Sequence, residues 1–236
     1  MPGFARMCNF VGHSFNPGML KAATRPRRAA PPRTDRRQAI LLAAERLFAQ
    51  RGYHAVSIRD IADEAGVPSA LVGYYFGPKD ELFHAIFEHW NGTIDQRLQA
   101  LRAAQQQPAA RRLEAIMRAF IEPVLALRAS AEGESYALLV ARELAHRGPQ
   151  ADRALREFFD PLAEAFIDAL QAALPKAGRA DLAWCYQFAL GALLHHLTDD
   201  RVGRLSRGQA RPNDPAAGPK LLAFVVGGIR AALPAR

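Results

Sequence analysis

Residues 57–82, Ser57-Ile-Arg-Asp-Ile-Ala-Asp-Glu-Ala-Gly-Val-Pro-Ser-Ala-Leu-Val-Gly-Tyr-Tyr-Phe-Gly-Pro-Lys-Asp-Glu-Leu82, carry the punctuation that decides the fold. Ser57 is a hydroxyl cap and Asp60, three residues on, is the acid of a capping box, so a helix opens here. Ile58, Ile61, Ala62 and Ala65 recur at helical spacing and give that helix one apolar stripe. Gly66 supplies the left-handed residue that ends a helix at a tight corner. Pro68 then opens the next helix, because its missing amide hydrogen would have had no partner there. Two short helices joined by a glycine turn form the layout of a DNA-binding helix-turn-helix, although any helical hairpin shares that spacing. The second helix adds a sharper signal. Leu71, Val72 and Phe76 point inward, which leaves Ser69, Ala70, Gly73 and Tyr74 as an outer face small enough to approach base edges. Gly77-Pro78 starts a further helix, where Asp80 and Glu81 complement the dipole and Lys79 is placed to meet a phosphate.

Upstream, Thr34 is positioned to cap a helix in which Ile40, Ala44, Leu47 and Phe48 recur at i, i+4, i+7 and i+8, with Gly52 as its stop. Downstream, residues 78–104 read as one long connecting helix carrying Leu82, Phe83, Ile86, Phe87 and Trp90 at helical spacing. More helices are expected near 109–129, 134–146, 150–173, 179–198 and 217–232, with breaks at Pro108, 130–133, Gly148-Pro149, 175–178 and the polar stretch 203–216. No strand alternation competes, so the fold class is all-α, a three-helix reading head followed by a helical body.

The 236 residues are half hydrophobic, yet no stretch approaches the roughly 20 apolar residues of a membrane span. Cys8 and Cys185 lie far apart, with neither CxxC spacing nor a histidine cluster beside them, and a reducing cytoplasm suits them. The net charge of +8 is concentrated at the start: residues 1–37 hold eight Lys/Arg against Asp35 alone. That segment mixes Pro, Ala, Gly and Arg without helical periodicity and reads as a disordered basic arm over 1–33, able to track phosphates or enter a minor groove. By contrast, residues 38–90 carry four Lys/Arg and seven Asp/Glu, so the head itself is acidic and leans on the arm.

The runs Ala39-Ile40-Leu41-Leu42-Ala43-Ala44-Glu45-Arg46-Leu47-Phe48, Arg51-Gly52-Tyr53, Val56 to Ala62, Ala65-Gly66-Val67 and Tyr74 to Leu82 together resemble the tetracycline-repressor family over roughly residues 36–85. The resemblance implies a homodimeric repressor with no cofactor, released from double-stranded operator DNA by a small, hydrophobic effector. It implies a helix-turn-helix domain over 34–80 and an effector-binding and dimerisation domain over 81–236. Carried over by position, the DNA contacts fall at Ser57, Arg59, Ser69, Gly73, Tyr74, Tyr75 and Lys79; the outward face of the helix adds Ala70, and the basic segment adds Arg36. Gly73 departs from the family's side chains at that position and offers nothing to bond a base, and Pro68 removes an amide that would meet the DNA backbone.

In the body, Met117, Phe120, Arg142, Phe158, Phe159, Phe166, Tyr186 and Phe188 are candidates to line an effector pocket. Large apolar residues at this spacing are more often plain core. The resemblance places the dimer interface on the last two helices, at Leu190, Gly191, Leu194, Phe224, Val225, Gly228 and Ile229, where small residues allow close packing. The patch His195-His196 and Asp199-Asp200 invites a metal reading, but adjacent helical histidines diverge by about 100° and only His196 with an acid would share an ion. No phosphate loop, nucleophile elbow or HExxH is present, so neither a metal site nor a catalytic residue is assigned. A sequence-independent DNA binder remains the rival reading, distinguished by equal affinity for operator and random DNA. Deleting residues 1–33 is expected to weaken operator binding and to flatten the slope of log affinity against log salt by about 0.9 for each phosphate the arm had neutralised. An unchanged slope would discard the arm's role.

Overall fold

The computed structural model describes residues 33–146 and 148–233, in which every regular element is helical. Most of the expected basic arm, residues 1–32, lies outside the described residues.

The head opens with α1 (Arg33–Arg51), which contains Thr34 rather than being capped by it, and closes at Gly52 with φ 81°. Helix α2 (Ile58–Ala65) begins in a complete capping box: the Asp60 amide donates to Ser57 Oγ at 3.1 Å and the Ser57 amide donates to the Asp60 carboxylate at 2.8 Å. Gly66 ends it in the left-handed region at φ 68°, where a side chain would be strained. Helix α3 (Ser69–Phe76) starts one residue later than its proline implies. Pro68 sits at the cap, because its carbonyl accepts from the Leu71 amide at 2.9 Å while its own backbone stays extended.

The connector expected as one helix over 78–104 is two, α4 (Lys79–His89) and α5 (Asn91–Gln105). Trp90 makes the break with φ −94° and ψ 5°. Its indole Nε1 donates to Glu45 of α1 at 2.7 Å, and its ring stacks on Tyr136 with centroids 5.1 Å apart and planes 11° from parallel. Both partners are remote in sequence, so helical spacing alone could not foresee the turn.

Then follow α6 (Ala109–Ala129), α7 (Glu134–His146) and α8 (Pro149–Ala154). A π-helical turn at Leu155–Phe159 runs into α9 (Asp160–Ala173), so the helix expected over 150–173 carries a bulge. Helix α10 (Arg179–Thr198) precedes the short α11 (Val202–Leu205) in the stretch expected as loop, and α12 (Ala217–Ala232) closes the described chain.

Two buried clusters organise the molecule. The head's cluster centres on Ile40, Phe48, Ile61, Val72, Phe83 and Phe87, and takes in Tyr136 and Leu139 of α7 and Ala154 of α8. The body's centres on Leu101, Ile116, Phe120, Phe166, Leu182 and Val225. Each fully buried side chain of this size contributes about 1.5–3 kcal/mol, so the residues α7 lends to the head fix how head and body sit together. Polar ties cross the same seam: Arg153 of α8 donates to Glu81 of α4 at 2.8 Å, and Arg142 of α7 donates to the Ala49 carbonyl of α1 at 3.3 Å. Among the described residues no helix is long and apolar enough to cross a membrane.

The seam is pH-sensitive through Glu45, only 1% exposed. Burial raises its pKa above the ordinary carboxylate range, partly offset by the Trp90 hydrogen bond and Arg46. The folded chain therefore binds this proton more tightly than the unfolded chain does. That stabilisation is present at low pH and is lost as pH rises from about 4.3 through the raised value. Denaturant titrations should show it for the wild type and not for Glu45→Gln. Trp90→Phe should cost about 1–3 kcal/mol at neutral pH, since it leaves the buried carboxylate without its donor.

Candidate functional site

The outer face of the head is built by α2 and α3. Ser57, Arg59, Ser69, Ala70, Gly73 and Tyr74 are all exposed, while Val72 and Phe76 beneath them are buried. Tyr74 is 79% exposed, an unusual position for an aromatic ring, and leans edge-on against half-buried Tyr75 at 5.2 Å. Gly73 has open space where a side chain would stand, so nothing in the fold requires glycine there and the face is left flat. Arg36 is half-buried at the start of α1, and exposed Arg37 lies over the Phe76 ring at 4.8 Å, tying that end of α1 to the end of α3.

Lys79 turns inward rather than outward. Its ammonium donates to the Tyr53 carbonyl at 2.5 Å and sits 4.1 Å from the Tyr53 ring centroid, and burial lowers its pKa. It holds the corner after α1, and a phosphate there would meet the backbone amides opening α4. Some of the head's acidity is answered within the fold: Glu81 is paired with Arg153, Glu64 with Arg46 at 3.1 Å, and the Asp60 carboxylate is held by the capping box.

The body encloses a cavity of about 310 Å³. Ile94, Val124, Leu127, Val140, Leu190 and Leu194 supply apolar wall, and Thr93, Gln96, Arg97, Tyr136 and Tyr186 supply polar groups. Of the aromatic candidates, Phe159 and Tyr186 line it. Met117, Phe120 and Phe166 do not. They are at most 1% exposed inside the body's core, where Phe120 packs edge-on against Phe166 at 5.2 Å. Phe158 faces the head, stacked on Phe87 at 6.3 Å, and Phe188 is 63% exposed on the outer surface. Arg142 is spent on the Ala49 carbonyl at the end of α1.

Arg97 and Tyr136 escaped the sequence reading. The signal was present: Ile94, Arg97, Leu101 and Ala104 share one face of α5, so a cation stands within an apolar stripe.

The outer face of α10 and α12 carries the second group of candidates. Phe224 is 71% exposed, and Gly191 and Gly228 open onto free space. Leu190 and Leu194 turn into the cavity instead, and Val225 and Ile229 are buried in the chain's own core, because the inward stripe of each helix is needed to close the body. Trp184, missed from sequence, stacks on Phe188 at 5.8 Å and is 61% exposed. Phe188, Phe224 and Gly228 border a shallow groove of about 210 Å³ between the two helices. At the end of α10, His195 rather than His196 meets Asp199, at 2.9 Å, and Arg201 shares that carboxylate and pulls its pKa far down.

Two family models match this chain. Bacterial regulatory proteins of the tetR family match residues 40–86, and the tetracyclin repressor-like C-terminal domain matches residues 118–228. The chain belongs to the tetracycline-repressor family. Among curated relatives of this tetracycline-repressor family member, the HTH-type transcriptional activator FasR of Mycolicibacterium smegmatis is 37% identical over 39% of this chain and 41% of its own. The HTH-type transcriptional repressor Rv3405c of Mycobacterium tuberculosis is 45% identical over 28% of this chain and 41% of its own. The chain thus spans about two fifths of the length of these relatives. They are named regulators, not enzymes. Among solved structures, a transcriptional regulator from Saccharomonospora viridis in complex with choline superposes with a TM-score of 0.57 at 17% identity, over 86% of this chain and 100% of that one. At that identity the likeness is one of fold.

Proposed function

We propose that this tetracycline-repressor family member is a homodimeric, DNA-binding repressor of the cytoplasm that leaves its operator when a small hydrophobic molecule enters the body's cavity. The observation that carries the reading is the exposed face of α2 and α3, where Tyr74 stands 79% exposed above a fully buried Val72. A ring held out in water by a rigid two-helix corner is suited to contact DNA, with Ser57 and Arg59 on phosphates and Ser69, Ala70, Gly73 and Tyr75 near base edges. The FasR and Rv3405c resemblances, an activator and a repressor, both support DNA binding and leave its sign open. Repression is preferred because a dimer seated over a promoter blocks it by occupancy alone.

Two-fold symmetry follows from the need to place two reading heads about 34–36 Å apart on successive turns of DNA. The exposed Trp184, Phe188 and Phe224 on α10 and α12 give a self-complementary apolar face for that pairing. The choline complex of the S. viridis neighbour supports a small-molecule site in a body of this fold. The path from cavity to head runs through Tyr136, which lines the cavity and stacks on Trp90, whose indole is bonded to Glu45 of α1. Phe159 also lines the cavity and meets Phe87 of the head edge-on at 6.1 Å. A ligand that moves either ring shifts the angle between α4 and α5 and hence the spacing of the heads, so effector and DNA oppose each other reciprocally.

Footprinting on the DNA flanking the chain's own gene should show a protected inverted repeat. Tyr74→Ala should weaken that binding by about 1–3 kcal/mol with folding intact, and equal binding to random competitor DNA would refute an operator-specific role. In sedimentation, Phe188→Glu combined with Phe224→Glu should convert a dimer to monomers. A wild type that already sediments as a monomer would remove the two-fold account.

A further inference from the structure

Among the described residues lining the cavity, Arg97 is the one Lys or Arg, and none is Asp or Glu. The residue is half-buried and lines that cavity. Its guanidinium lies 5.6 Å from the Phe120 ring centroid and 5.8 Å from that of Phe166, so the aromatic floor of the body's core supports one side of it. Such contacts favour the cation without accepting any of its five N–H donors. Among the described residues Arg97 forms no salt bridge, and its Nε is buried with no hydrogen-bond acceptor, as is the hydroxyl of neighbouring Tyr136. Burial lowers the Arg97 pKa, opposed by Tyr186 and Tyr136, yet an arginine remains charged. Acidic charges act on the tyrosines instead, Glu45 on Tyr136 and Asp160 on Tyr186. Burial also raises the pKa of both tyrosines, which keeps their hydroxyls protonated as donors.

A charge held largely out of water without a partner is costly, and a ligand that supplies the missing acceptor removes that cost. We infer that the effector is an amphiphilic monoanion whose carboxylate is bound by Arg97, with its apolar body against Ile94, Val124, Leu127 and Leu190. This rests on the reading of the cavity as an effector site. The single positive charge among the described lining residues matches one negative charge, and the planar guanidinium fork matches a planar carboxylate. A volume of about 310 Å³ is at the small end of ligand clefts, enough for a compact chain or ring and too small for a bulky conjugate.

The test uses the full chain with decanoate, decanol and decyltrimethylammonium, which share a tail and differ in head-group charge, each kept below its micellar concentration. Calorimetric titration should show decanoate binding most tightly and decyltrimethylammonium least. Arg97→Met should cut decanoate affinity about 10- to 100-fold and leave decanol unchanged, and Arg97→Lys should restore part of the loss. If decanol equals decanoate on the wild type, or Arg97→Met keeps full decanoate affinity, the charge assignment is overturned and the cavity reading stands. If decanoate binds as expected but does not release operator DNA, the regulatory reading fails and the anion site survives. Binding of none of the three overturns both. Should Arg97→Met fail to fold, the ranking of the three head groups on the wild type decides alone.

Discussion

The joint at Trp90 is the constraint on which the rest of the arrangement turns. One side chain ends α4, donates to a carboxylate that α1 has buried, and lies flat on a tyrosine from α7. Each contact holds the others in place. The indole N–H needs an acceptor out of water, the carboxylate needs a donor, and the stacked rings tie both to α7. A reading head rigidly seated on a body is the physical precondition for any event in the body to be felt at DNA.

Around the two-helix corner several polar groups are satisfied: Asp60 by the capping box, Lys79 by the Tyr53 carbonyl, Glu81 by Arg153. Others are buried without a partner among the described residues: Arg97 Nε, Arg128 Nε, the Tyr136 hydroxyl and, in α4, His84 Nδ1. The satisfied set keeps the two-helix corner as a fixed template. Of the unpartnered set, Arg97 and Tyr136 line the cavity, and Tyr136 belongs to both its wall and the joint.

Local chemistry made the head readable. The Ser57–Asp60 box, the left-handed Gly66 and the inward Val72 and Phe76 are decisions taken within a few residues, and they place α2 and α3 without help from elsewhere. The spans of α6, α7, α10 and α12 were readable for the same reason, since Pro108, Gly148, Gly178 and the polar stretch before α12 punctuate them. The break at Trp90 was not, because it answers to Glu45 and Tyr136, both more than forty residues away. Pocket residues were the least readable. Phe120 and Phe166 have the same spacing as Phe159, and only the assembled body decides that two of them floor the core while the third reaches the cavity. Arg97 was visible as a charge within an apolar stripe, but a snorkelling arginine at a surface looks the same in one dimension.

The π turn at Leu155–Phe159 gives this architecture a sensitivity to length. It holds one residue more than an α-helical turn would, and its two phenylalanines both reach Phe87, Phe158 stacked on it and Phe159 edge-on while also lining the cavity. Excising a single residue there would restore an ordinary helix and swing one flank by about 100° relative to the other. The segment behaves as a vernier: a shift of one notch would misalign both rings together, whereas the same excision in the polar stretch before α12 would be absorbed without reaching either.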